Sequence, residues 1–165
     1  MAFTRVFIHG LESSSRGNKG VFFRARYPDM IIEDFKGTLE QRMKKLNRML
    51  SDKKDLILVG SSFGGLMAAI YACNHDDRVK KLILLAPALN LDDFKPFAGK
   101  RMNLPVTIFH GRDDDVVPPA PVRQIASQVF ANLSYHLVDD DHPLRETFTT
   151  YDWDALLRGD AVSNK

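Results

Sequence analysis

Cysteine is nearly absent: the 165 residues contain one, Cys73. A single thiol excludes an internal disulfide and a zinc site of the CxxC type, and it is compatible with a reducing compartment. Cys73 lies in the apolar run after Gly64, where it reads as a small buried hydrophobe rather than a nucleophile. Long apolar runs are missing too. The longest, Leu82 to Leu91, is too short to span a bilayer and is interrupted by Pro87. Met1 to Ile8 runs directly into what reads as a core strand, with no charged start and no cleavage site. The expectation is a soluble, cytoplasmic protein that does not meet a membrane. Nor does either sign of charge dominate: 23 basic residues stand against 21 acidic ones, interspersed, for a formal net charge of +2. Without a clustered basic face, nucleic acid is not an expected partner. The nearest approach to a cluster is Arg42, Lys44, Lys45 and Arg48, which is expected to form the wet face of a helix opposite Leu39, Met43, Leu46 and Leu50. No internal repeat or low-complexity segment is evident, and the oligomeric state is left open.

The length suits one domain, assigned to residues 1–158, with a polar tail over 159–165. Strands are expected at Phe3–Ile8, Met30–Glu33, Asp55–Val59, Val79–Leu85, Val106–Phe109 and Leu133–Val138. Helices are expected between them: a short one over Lys19–Ala25, and one after a Thr38/Gln41 capping box that ends near Ser51. An almost wholly apolar helix follows over Phe63–Asn74, then a short candidate over Asp92–Phe97. Another opens at Pro118, Pro119 and Pro121 and carries Val122, Ile125, Ala126, Val129 and Phe130. A last helix is expected after His142-Pro143, using Leu144, Phe148, Tyr151 and Leu156. Alternating strands and helices with continuously apolar central strands predict a three-layer, doubly wound α/β fold around a six-stranded, mostly parallel sheet. Ligands of such sheets bind beyond the carboxyl ends of the strands, where the strand order reverses.

One stretch carries chemistry. Leu56 to Ala69 runs from an apolar strand through Gly60-Ser61-Ser62-Phe63-Gly64 into an apolar helix. The pattern G-x-S-x-G on a strand-to-helix turn is a nucleophile elbow, in which glycines relieve crowding around a strained serine. A serine hydroxyl needs a base within hydrogen-bond reach and a third group to orient that base. Of five histidines, His9 and His110 end strands before a glycine, His75 ends a helix and His136 lies inside a strand. His142 occupies the loop after the last strand and is the favoured base. The loop Arg112 to Asp115 offers three aspartates, Asp113, Asp114 and Asp115, for the orienting acid.

The segments HGLESS, GSSFGG, HGRDDDVVP and DDH, in the order Ser, Asp, His, resemble the α/β-hydrolase superfamily over nearly the whole chain. The resemblance selects Asp114, at the acid position of H-G-x-x-D, with Asp113 and Asp115 as near misses. It implies an oxyanion hole made by the backbone N–H groups of Leu11 and Phe63. The family's two preceding antiparallel strands and its lid have no room here, so a minimal lidless core is expected. Leu89, Leu91, Phe94, Phe97 and Met102 either line an acyl pocket or patch the core. The chain is most similar to small bacterial esterases of the YqiA-like kind, which would put Arg16 and Lys19 at the site entrance unless they are merely solvated charges. The implied activity is a serine hydrolase acting on a small soluble carboxylic ester, with no metal or organic cofactor. A thioesterase or amidase with the same three residues is one alternative, and a non-catalytic ligand-binding protein of the same fold is another.

Overall fold

The computed structural model describes residues 2–159. Apart from Gly159, the expected tail lies outside the described residues. Six strands form one sheet: β1 (Thr4–Ile8), β2 (Ile31–Ile32), β3 (Leu56–Ser61), β4 (Val79–Leu85), β5 (Met102–Gly111) and β6 (Phe130–Val138). Their spatial order is β2-β1-β3-β4-β5-β6, and every neighbouring pair is parallel. Successive connections therefore turn opposite ways on either side of β1, and the crevice at the carboxyl ends of β1 and β3 is the switch point.

Residues of alternate parity separate the two layers of core. Val6, Ile8, Leu56 and Leu58 face the larger core with α2 (Leu39–Met49), α3 (Phe63–Asn74) and α4 (Pro119–Val129). Phe7, Ile57, Val59 and Ile83 face the smaller one with α1 (Asn18–Arg26) and the C-terminal segment. There the Phe23 ring meets Trp153 edge-on at 4.8 Å. The α2 N-terminus carries the full capping box between Thr38 and Gln41. Helix α3 is buried along almost its whole length, which accounts for its apolar circumference, and Cys73 is buried within it.

Three expectations need correction. Arg42 does not belong to a wet face. It is 5 % exposed, because its side chain falls on the α2 face shared with Leu46, while Lys44 and Arg48 are exposed. The fifth and sixth strands are longer than periodicity suggests. Asn103 and Pro105 interrupt the apolar run, yet β5 starts at Met102, which pairs with Phe130, and a register shift between Met102 and Pro105 accommodates the proline. Phe130 accordingly opens β6 instead of closing α4.

The last helix is replaced by a 3₁₀ turn at Phe148–Thr150 and one short helix, α5 (Trp153–Leu156). Leu144 has φ of 56°, and the Asp140 carboxylate accepts the N–H groups of Glu146 and Thr147, which removes donors a helix would use. Of the expected anchors Leu144 and Phe148 are buried and Tyr151 and Leu156 half-buried, and Trp153, not among them, is fully buried. Between β4 and β5 the chain makes only a 3₁₀ segment, Asp92–Phe97, folded onto the core through Phe94; no lid is built there.

Candidate active site

Ser62 stands between the end of β3 and the first residue of α3, with φ 55° and ψ −114°. A non-glycine residue rarely adopts this backbone, and the surroundings hold it there. The Ser62 N–H donates to Leu85 O at 2.8 Å, and its carbonyl accepts from Gly65, Leu66 and Ala88. The turn is too tight for side chains at its flanking glycines. A Cβ at Gly64 would lie 2.1 Å from Ile8 O, and one at Gly60 would lie 2.4 Å from Gly64 O.

The loops after β5 and β6 supply two further groups. His142 Nε2 lies 3.0 Å from Ser62 Oγ, and His142 Nδ1 lies 2.7 Å from Asp114 Oδ2. The network assigns the proton to Nδ1, which donates to the carboxylate, so Nε2 is free to accept from the serine hydroxyl. Asp114 is buried. Its Oδ1 accepts the N–H groups of Val116 and Val117, at 2.9 and 2.8 Å, and its Oδ2 also faces His110 Nε2 at 3.1 Å. Asp113 and Asp115 are exposed, so of the three aspartates the fold brings only Asp114 to His142.

Leu11 and Phe63 line the same cleft as Ser62 and His142, which has a volume of about 550 Å³. Their N–H groups donate to no acceptor among the described residues. The Gly10–Leu11 peptide packs against the serine: a Cβ at Gly10 would be 3.4 Å from Ser62 Cβ. His9 holds that peptide. Its Nε2 accepts the Phe35 N–H at 2.9 Å, which leaves Nδ1–H to donate to Gly10 O at 2.7 Å. Burial depresses the pKa of this imidazole, only partly offset by the bond to Gly10, and keeps it neutral.

Of the other candidates, His75 packs at a tilt against Tyr71 and His136 stacks on Phe109, and neither lines the cleft. Leu91 lines the cleft, whereas Leu89, Phe94, Phe97 and Met102 pack into the core. Lys19 also lines the cleft; its Nζ donates to Pro143 O at 2.6 Å and lies 5.3 Å from the centre of the Phe148 ring. Burial lowers its pKa, with Asp141 and Asp140 opposing. Arg16 is exposed and outside the cleft lining.

Several supporting residues escaped the sequence reading. His9 and His110 were visible only as strand-ending His-Gly pairs. Asp140, within an acidic run, anchors the His142 loop by accepting from Asp141, Glu146 and both donors of Thr147. Burial alone would raise its pKa, but these bonds outweigh it and hold the carboxyl below its ordinary value. Among the described residues no cluster of His, Cys, Asp or Glu is arranged to hold a metal, and no helix is long and apolar enough to cross a membrane.

No curated protein matches the sequence. Solved structures share the fold at low identity. Alpha/beta hydrolase domain-containing protein 10 from mouse is 21% identical, with a TM-score of 0.73 over 87% of this chain and 83% of that one. Est1E from Butyrivibrio proteoclasticus is 17% identical, with a TM-score of 0.76 over 90% and 83%. The monoacylglycerol lipase of Paleococcus ferrophilus is 16% identical, with a TM-score of 0.70 over 94% of each chain. The model of the alpha/beta hydrolase fold family matches residues 10–103, more than half of the sequence and the part that contains the elbow. With the parallel sheet, the strained serine and this match in agreement, the chain belongs to the alpha/beta hydrolase fold family.

Proposed function

We propose that this protein is a serine hydrolase that cleaves small, soluble carboxylic esters through an acyl-enzyme. The observation that carries the reading is the single imidazole joined to both Ser62 and Asp114, at 3.0 and 2.7 Å. With the substrate carbonyl in the cleft, Ser62 Oγ attacks the carbonyl carbon while its proton passes to His142 Nε2. Asp114 keeps the Nδ1–H tautomer in place and stabilises the imidazolium. The oxyanion accepts from the Leu11 and Phe63 N–H groups, an arrangement worth about 10²- to 10³-fold in kcat per donor. His142 then gives its proton to the leaving alcohol, and water repeats the sequence on the acyl group.

No cofactor enters these steps. An ester is favoured over other acyl derivatives by the esterase and lipase names of the structural neighbours. A cytoplasmic setting agrees with the lone, buried Cys73, whose thiol burial pushes up to about 11. A fluorophosphonate probe should label the wild-type protein and fail to label Ser62→Ala. Wild-type protein that resists labelling while fully folded would sink the reading. Matched esters, thioesters and amides of one acyl group then rank the leaving groups.

A further inference from the structure

The residues that offer the oxyanion donors, Leu11 and Phe63, share a third neighbour that the mechanism above does not use. Arg42 reaches across from α2. Its Nε donates to Gly37 O at 2.9 Å, its Nη2 makes a long bond to Leu11 O at 3.4 Å, and its guanidinium carbon lies 5.4 Å from the centre of the Phe63 ring. The residue is 5 % exposed, and its Nη1 is buried with no hydrogen-bond partner. Among the described residues no carboxylate lies within 4.0 Å of it. Burying a cation without a paired anion is costly, and a native chain seldom leaves a guanidinium donor unsatisfied. Helix α2 did not need the charge at this position, since a methionine or leucine would fill the same face shared with Leu46.

We propose that Arg42 is a positioning residue for the oxyanion pocket: it fixes the Leu11 loop against Phe63 and holds a permanent positive charge beside the two residues that offer the N–H donors. In the free protein that charge has only the Gly37 and Leu11 carbonyls and the Phe63 ring beside it. In the tetrahedral intermediate the new anion on the substrate oxygen forms at the N–H groups of those same two residues, in a low-dielectric setting where the attraction is strongest. Arg42 touches no substrate atom in this scheme and acts through Leu11 and Phe63. The inference rests on the serine hydrolase reading.

The test compares Arg42→Gln, which keeps a donor and removes the charge, with Arg42→Lys, which keeps the charge. Steady-state kinetics on a short p-nitrophenyl ester are read beside inhibition by a trifluoromethyl ketone. That inhibitor forms a hemiketal on Ser62 and places an oxyanion in the pocket. Arg42→Gln should lower kcat by about 10- to 100-fold, less than loss of an oxyanion donor itself, and leave KM within about threefold. The inhibition constant should rise by the same factor as kcat/KM falls. Arg42→Lys should recover much of the loss without reaching wild type, because its charge sits differently. A folded Arg42→Gln with wild-type kcat overturns the inference, as does a loss confined to KM with the inhibitor unaffected. Should Arg42→Gln not fold, Arg42→Lys decides alone: a parallel shift of kcat and inhibition supports the role, and unchanged values of both refute it. Wild-type protein that shows no Ser62-dependent labelling by fluorophosphonate refutes the proposed function, and this inference with it. Labelling retained with unmoved Arg42 kinetics refutes this inference only.

Discussion

Asp114 accepts hydrogen bonds on both carboxylate oxygens, while its two neighbours face solvent. Two backbone N–H groups hold Oδ1, so the plane of the carboxylate is set before His142 meets Oδ2. His110, buried and neutral because burial depresses its pKa, donates its Nε2–H to Val117 O at 2.9 Å and sets that nitrogen 3.1 Å from the same carboxylate oxygen. Its other nitrogen, Nδ1, is buried with no partner, which identifies Nε2 as the protonated one. Asp114→Asn preserves the shape but favours the wrong His142 tautomer, and kcat should fall by about 10⁴-fold. Asp113→Asn and Asp115→Asn should stay within about threefold of wild type, as solvated carboxylates distant from the imidazole. Steady-state rates of the three variants on one ester check the assignment. Equal losses at all three would contradict it.

At the scale of elements, the site depends on loops fastened from outside. The His142 loop is tied at one end by Asp140, which gathers donors from Asp141, Glu146 and Thr147. On its outer side it is tied by Lys19 of α1 through Pro143 O. Close backbone contact reinforces the first tie: a Cβ at Gly111 would lie 2.5 Å from Asp140 O. Asp140→Ala leaves the donors of Glu146 and Thr147 without their acceptor, and global stability should fall by about 2–4 kcal/mol. Because the same segment carries His142, kcat should drop as well, with KM changing less. Urea denaturation measures the first effect and initial rates the second. An Asp140→Ala protein with an unchanged urea midpoint would refute this account of the loop.

For the whole molecule, two buried imidazoles set an acid limit. Burial lowers the pKa of both His9 and His110 below the ordinary value of 6.5. In the unfolded chain each takes up a proton near 6.5, whereas in the folded chain each resists until lower pH. The unfolded state thus binds more protons in the window below 6.5, and stability there rises with pH. The stabilisation is complete above 6.5 and is lost as pH falls through the depressed folded values, at a slope of up to about 1.4 kcal/mol per pH unit for each group. Asp140, held below its ordinary 3.8, adds a further loss only in stronger acid. Urea midpoints should therefore decline from pH 7 to pH 5, and His110→Gln should flatten that decline. A midpoint that stays level across the interval would contradict the assignment of both imidazoles as neutral in the fold.

Short-range physics was legible in the chain. Periodicity over a few residues marked the strands and helices of a parallel sheet, and glycines around one serine marked a turn whose crowding involves only adjacent residues. A loop that follows a strand must also emerge at the sheet's carboxyl edge, which places the loops carrying Leu11, Phe63, Asp114 and His142 there, while the choice of Leu11, Phe63 and Asp114 within them rests on the family resemblance. The tertiary structure decided what depends on partners remote in sequence. The hydrogen bonds that join His142 to Asp114 and Ser62 close gaps of 28 and 80 residues. Which aspartate turns inward is set by backbone donors and a histidine whose placement follows only once β5 and β6 are paired. Arg42 looked like surface because helical spacing alone does not reveal which flank of an apolar stripe a second loop covers. The terminal segment gave up its helix because a carboxylate beyond its start claimed the backbone donors first, a competition that no hydrophobic period records.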